Sequence, residues 1–206
     1  MTYVTTKHWL QILRELPSIG AILPGSSLRL LAGLDERAGR QALWRLGRAG
    51  LVTHLGQGWY THGFAQPSLA EIAHVLVQPS YVSLETVLVQ RGITTQPSAF
   101  LTSVTLEPTQ RRATPLGEIH YRSLARHLFW GFQILRGPSQ LPYLEAEPEK
   151  ALLDLIYLSR RRGHGVWLDL DFERLDQARL NGYAERFPAS VRATLAELKR
   201  TRVIDS

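Results

Sequence analysis

The sequence predicts an α+β protein of two parts, and three observations carry the prediction. Residues 1–66 hold three helical patterns followed by two short strand-like runs around Gly56-Gln57-Gly58. From Pro67 onward, helical spacing and strand-like alternation are interleaved. Between the two, Gly63-Phe64-Ala65-Gln66-Pro67-Ser68 has the Gly, Pro and Ser content of a connection. Two domains are therefore expected, 1–66 and 67–206, in a chain whose 206 residues are 44% apolar and can bury a core.

Thr6 can cap a first helix, whose apolar positions Trp9, Ile12, Leu13 and Leu16 recur at helical spacing until Pro17 and Gly20. After Pro24-Gly25, either Ser26 or Ser27 can cap a short second helix through Leu28, Leu30 and Leu31, closed by Gly33. Asp35 caps a third, with Glu36 in the first turn, where the helix dipole favours a carboxylate, and Gly50 at the C-terminal end. Leu51–Leu55 and Trp59–Thr61 then form a hairpin on Gly56-Gln57-Gly58. Helix, helix, helix, hairpin is the order of a winged helix-turn-helix.

Two chemistries divide the third helix. Ala38, Ala42, Leu46 and Ala49, with Leu43 beside them, form an apolar stripe, whereas Arg37, Arg40, Gln41, Trp44, Arg45 and Arg48 occupy the other side. Arg forks onto guanine O6 and N7, and Gln pairs with adenine N6 and N7, so this face carries the groups that read bases in a major groove. On an isolated helix four Arg can simply solvate it; the position before a hairpin favours double-stranded DNA. Arg37, Arg40, Gln41 and Arg45 are the expected base readers. Arg14, Arg29, Arg48 and the hairpin, with Gln57 at its tip, are the expected backbone contacts. Trp44 stays open, since a large aromatic there can also pack against the hairpin or the second domain.

Charge agrees with an acidic partner. The chain carries 24 Lys+Arg against 18 Asp+Glu, a formal +6, and 21 of the 24 cations are Arg, which suits bidentate contacts to phosphate. Residues 1–66 contain seven basic and three acidic residues, hence +4 of that excess.

In the second part, Leu69, Ile72, Ala73 and Leu76 suggest a helix, and Ser83 can cap another through Leu84, Val87 and Leu88 to Gly92. Phe100–Leu106 alternates, Arg111–Thr114 and Glu118–Arg122 flank the turn Pro115-Leu116-Gly117, and Leu128–Leu135 is a further apolar run, which together predict a small sheet. Pro148 stands at a helix N1 position before Ala151, Leu152, Leu155, Ile156 and Leu158, and that helix ends in Arg160-Arg161-Arg162-Gly163. Two more helical patterns follow, Phe172–Arg179 and Pro188–Arg200.

The order Tyr81-Val82-Ser83-Leu84-Glu85 with Gly92, Thr114-Pro115-Leu116-Gly117 with Tyr121-Arg122, Leu128-Phe129-Trp130-Gly131-Phe132, and Pro148-Glu149-Lys150-Ala151-Leu152-Leu153-Asp154-Leu155 resembles the AbiEi-type antitoxins, transcriptional regulators of bacterial abortive-infection systems. The resemblance covers about residues 80–160, extends through Leu175 and Leu180, and is compatible with the winged helix in front. It implies a repressor that binds inverted repeats in its own promoter, an arrangement suited to a homodimer on DNA. It also implies a C-terminal domain that counters a separately encoded nucleotidyltransferase toxin without a stable complex with it. An antitoxin that binds its toxin directly is the variant reading.

Catalytic signatures are few. With no Cys there is no disulfide, thiolate zinc site, iron–sulfur cluster or cysteine nucleophile, which fits a reducing, cytoplasmic setting. The apolar stretches run only a few residues, and residues 1–16 hold Lys7, Arg14 and Glu15 without an apolar core, so neither a membrane span nor a signal peptide is expected. Walker, dinucleotide, His-Glu-x-x-His and nucleophile-elbow motifs are absent, which disfavours an enzyme and implies no cofactor. The rival reading is a metal-dependent enzyme on nucleotides or nucleic acid, with Mg²⁺ held by Asp169 and Asp171 and Glu173 and Asp176 nearby; the same acids can instead cap the following helix. Lys150 and Asp154 read as an ordinary i,i+4 pair, with Glu149 in the first turn. Arg160–Arg162 could grip DNA, but cations at a helix end also complement its dipole, which is the favoured reading, and the seven His lack metal-ligand spacing.

Overall fold

A computed structural model describes residues 4–15, 20–161 and 169–204, and the chain in it is mixed α and β. Leu16 and Pro17 of the first expected helix, together with Arg162 and Gly163, lie outside the described residues. The fold divides into two compact units. The first gathers the chain through Leu76 with Arg112–Glu118 and Arg136–Tyr143; the second gathers Val77–Arg111, Ile119–Leu135 and the chain from Leu144 on. The expected connection at residues 63–68 thus lies inside the first unit.

In the first unit, α1 (Thr6–Glu15), β1 (Ile22–Pro24), α2 (Gly25–Leu31), α3 (Glu36–Arg48), β2 (Val52–Gly56) and β3 (Trp59–His62) follow in order. The strands make an antiparallel sheet β1-β3-β2, with Ile22 opposite Thr61 and Thr53 opposite Thr61 on its other edge. Trp9 and Leu13 of α1, Leu28 of α2, and Ala42, Leu43 and Leu46 of α3 close one core with Ala32, Leu34 and Val52. Helical spacing in the sequence puts these side chains on inward faces, and burial of each is worth about 1.5–3 kcal/mol for the larger ones.

Two expected caps move. Thr5, not Thr6, caps α1, its Oγ1 accepting from the His8 amide at 3.3 Å. Neither Ser26 nor Ser27 caps α2, because the helix already begins at Gly25 after Pro24. The Gly25 amide instead donates to the Gly58 carbonyl at 2.8 Å, so the hairpin turn satisfies the helix end. Asp35 does cap α3, accepting from the Ala38 amide at 2.8 Å. Ala49, expected in the apolar stripe, stands beyond the last turn and is exposed. At Gly39 α3 passes close against Arg29 of α2, since a Cβ there would lie 2.5 Å from Arg29 Cγ. That contact explains a glycine in mid-helix, which otherwise costs about 1 kcal/mol relative to Ala.

The unit continues into α4 (Leu69–Leu76). Ser68 and Glu71 form a capping box: the Ser68 amide donates to Glu71 Oε2 at 2.6 Å and Ser68 Oγ accepts from the Glu71 amide at 3.2 Å. The other oxygen of this buried carboxylate accepts from the amides of Ser139 and Leu141, each at 3.1 Å, and Gly137 lies so close that a side chain there would collide with it.

The six-stranded sheet has the order β6-β7-β5-β4-β9-β8, with β4 (Ser80–Val82), β5 (Leu101–Thr105), β6 (Gln110–Thr114), β7 (Gly117–Ser123), β8 (Phe132–Arg136) and β9 (Pro142–Ala146). β4 is antiparallel to β5 and parallel to β9, and β5 is parallel to β7. Every residue of β4 and β5 is buried, as expected of strands covered on both faces. The helices are α5 (Glu85–Gln90), α6 (Pro148–Arg161), α7 (Gln177–Ala184) and α8 (Ala189–Ile204). Ser83 does not cap α5, whose first residue follows Leu84 at φ 62°; its hydroxyl is used elsewhere. The single helix expected over Phe172–Arg179 is instead a 3₁₀ turn, Phe172–Arg174, followed by α7, because Asp176 caps afresh. Of the run Leu128–Leu135, only the part from Phe132 is strand, and Ile134 is exposed. Among the described residues no helix is long and apolar enough to cross a membrane.

Candidate nucleic-acid interface

On α3 the burial of Ala42, Leu43 and Leu46 leaves Arg37, Arg40, Gln41, Trp44, Arg45 and Arg48 all exposed. The opposite face thus has a ridge of donors along positions 37, 40/41, 44 and 48, with Arg45 beside it. Arg40 Nη1 reaches Glu36 Oε1 at 2.5 Å, with both side chains 71% exposed. At that exposure the pair is worth only a few tenths of a kcal/mol, so Arg40 can exchange Glu36 for another acceptor. The Arg48 guanidinium lies 5.1 Å from the Trp44 ring centroid, a cation–π distance. Trp44 itself is 63% exposed, so it does not fill a core.

An open cleft of about 430 Å³ is lined by Ser26 and Arg29 of α2, Glu36, Arg40 and Leu43 of α3, and Gly58 and Tyr60 of the hairpin. Arg29 and Arg40, separate in the sequence reading, meet at this cleft. Arg29 is half-buried along Gly39, and its Nε is shielded from solvent without a hydrogen-bond acceptor. A buried donor of that kind gains from an incoming anion. Arg14 is exposed in the last turn of α1.

Gln57 stands at the hairpin tip with φ 50°. With its amide oriented by its neighbours, it donates to the Leu76 carbonyl at 2.9 Å and accepts from Arg112 at 2.8 Å. Its side chain is therefore engaged inside the unit, and what the tip offers is backbone and the adjacent Arg112. Arg112 arrives from a distant part of the chain and has no local signal in the sequence that would associate it with the hairpin.

The second unit holds a different kind of polar cluster. Lys150 and Asp154 on α6 form an ion pair with no solvent exposure on either side chain. Lys150 Nζ also donates to Tyr81 Oη at 2.9 Å, Tyr81 Oη donates to Asp154 Oδ2 at 2.8 Å, and Ser83 Oγ donates to the same oxygen at 3.1 Å. The expected i,i+4 pair is present, and it is buried: Ala151, Leu152, Leu153, Leu155 and Ile156 of α6 are buried around it, so the pair has no surface to occupy. Burial pushes the Asp154 carboxyl up and the Lys150 ammonium down, each opposed by its partner's charge; burial, then the Asp154 charge, pushes the Tyr81 phenol well up. Lys150 Nζ lies 5.2 Å from both the Trp130 and Phe187 ring centroids, and Tyr81 packs on Phe129 and Phe132 at 4.9 Å. Gly131, at φ 76°, leaves room for the lysine stem, since a Cβ there would be 3.0 Å from Lys150 Cγ. This arrangement is a closed structural junction between β4, the 129–132 segment and α6.

The remaining candidates resolve locally. Asp171 caps the 3₁₀ turn through the Glu173 amide at 3.1 Å and binds Arg174 Nε at 3.0 Å; Asp176 caps α7 through the Arg179 amide at 3.0 Å. Glu149 is buried and accepts from the Asp176 amide at 2.9 Å. Asp169 is exposed, and among the described residues no three His, Asp or Glu side chains group as a metal site. Arg160 donates to Thr194 Oγ1 at 2.7 Å, linking α6 to α8.

No protein-family model matches the chain, and no curated protein matches its sequence.

Proposed function

We propose that the first unit is a winged helix-turn-helix that binds operator DNA through α3, and that the protein is a transcriptional repressor and antitoxin of the AbiEi type, acting in the cytoplasm in phage defence. The observation that carries the reading is the two-faced α3, with every Arg of the helix exposed and Ala42, Leu43 and Leu46 buried in one core with α1 and α2. A rigid helix presenting four guanidinium groups and an amide has both the charge to displace phosphate counterions and the forks to read guanine and adenine edges. Its operator is the inverted repeat of its own promoter, bound as a homodimer, so that repeat symmetry matches protein symmetry. The antitoxin half rests on the AbiEi resemblance, and it is supported by the convergence of Tyr81, Ser83, Trp130, Gly131, Lys150 and Asp154, drawn from three separate motifs, on one buried junction.

The mechanism is binding, with no turnover. The direct test is affinity for the DNA upstream of the reading frame as a function of salt. If each protomer neutralises about four phosphates, log K falls with log salt at a slope of roughly −3.6 per protomer. An affinity that does not change with salt rejects the electrostatic interface. For the second half, coexpression with a nucleotidyltransferase encoded by the neighbouring reading frame is expected to restore growth without copurification of the two proteins; unrelieved toxicity rejects the antitoxin reading, and copurification favours direct binding.

A further inference from the structure

We infer that Trp44 is a specificity residue of α3, reading the C5-methyl group of thymine in the major groove. The inference rests on the proposal that α3 enters DNA and adds to it which base feature an apolar side chain there recognises. Among the described residues, the exposed large apolar side chains are Leu30, Leu31, Trp44, Phe64, Leu116 and Ile134. Trp44 is set apart by its surroundings. It stands four residues from Arg40, three from Gln41 and four from Arg48, so polar groups flank it along the same ridge.

An indole 63% exposed on a helix that otherwise segregates its chemistry so sharply is a standing cost, since its apolar surface remains in water. Its surroundings say what relieves that cost. A protein partner covering Trp44 would have to accept Arg37, Arg40, Arg45 and Arg48 at the same time, and a polyanion does so by charge alone. Within a duplex groove the apolar feature available to a helix is the thymine methyl, which projects into the major groove beside the acceptors that Arg and Gln use. The Arg48 guanidinium over the ring biases the orientation of the indole and remains free to contact phosphate from there. Because Trp44 is not among the side chains that form the core of this unit, its replacement is expected to leave the helix intact.

The test uses the full chain and the DNA upstream of its reading frame, amplified once with dTTP and once with dUTP, so that the second duplex differs by its missing methyl groups. The wild-type protein is expected to bind the uracil duplex about fourfold more weakly for each thymine that Trp44 contacts. Trp44→Ala is expected to bind both duplexes alike, at the affinity of the wild-type protein for uracil DNA, and Trp44→Phe to keep part of the discrimination. Equal wild-type affinity for the two duplexes overturns the inference while leaving DNA binding itself intact. So does a Trp44→Ala variant that still discriminates, because the methyl group is then read elsewhere. Absence of wild-type binding to thymine DNA removes the operator reading and this inference with it.

Discussion

Two helices of this protein carry an acid and a base four residues apart, and the pairs have opposite meanings. On α3, Glu36 and Arg40 are both 71% exposed; on α6, Lys150 and Asp154 are both fully buried. Spacing is the same and environment differs. In water the first pair is a loose, exchangeable association that leaves Arg40 available to a ligand. Away from water the second pair is bound to Tyr81 and Ser83 and cannot be opened without leaving a charge or a polar group unsatisfied. Charge on Glu36 and Arg40 stays in water, while charge on α6 fixes which strands and side chains meet.

The sharpest way to break this comparison is to remove one partner of the buried pair. Lys150→Met leaves the Asp154 carboxylate buried beside two hydroxyl donors, and it is expected to cost about 3–5 kcal/mol in denaturant unfolding. Combining it with Asp154→Leu recovers part of that loss, and a double variant as unstable as the sum of the singles would refute the coupling. The counterpart on α3 has a different readout. Arg40→Ala is expected to weaken binding to the upstream DNA by about 1–3 kcal/mol and to relax preference at one base pair, with unfolding stability held within about 0.5 kcal/mol. Unchanged affinity and preference would place Arg40 outside the interface. The smallest effect is expected from Glu36→Gln: about 0.5 kcal/mol of stability, from the lost pair and the lost carboxylate at the helix N-terminus. A loss several times larger would mean that the two pairs are not as different as their exposures imply.

What could be read from the sequence follows from the range of the interactions involved. Asp35 as a cap, the division of α3 into two faces and the hairpin around Gly56-Gln57-Gly58 all depend on residues within one turn or one loop, and they were legible. The strands β1 and β4, three residues each, were not, because pairing to distant segments defines them and no periodicity fits in three residues. Ser83 shows the same limit: a hydroxyl before a helical pattern suggests a cap, but the Asp154 carboxylate from another part of the chain takes it. Two further signals stand in the sequence. Ser68-Leu69-Ala70-Glu71 has the spacing of a capping box, and the apolar residues on all sides of Lys150 and Asp154 already left that pair no wet face.

Glu71 gives the molecule a further property. Its carboxylate joins the start of α4 to amides at Ser139 and Leu141, within a unit assembled from three stretches of chain. Such a unit cannot be passed to another protein by a single crossover. A recombination at residue 76 would deliver α1 to α4 without the loop whose amides occupy this carboxylate, leaving Glu71 buried without two of its donors.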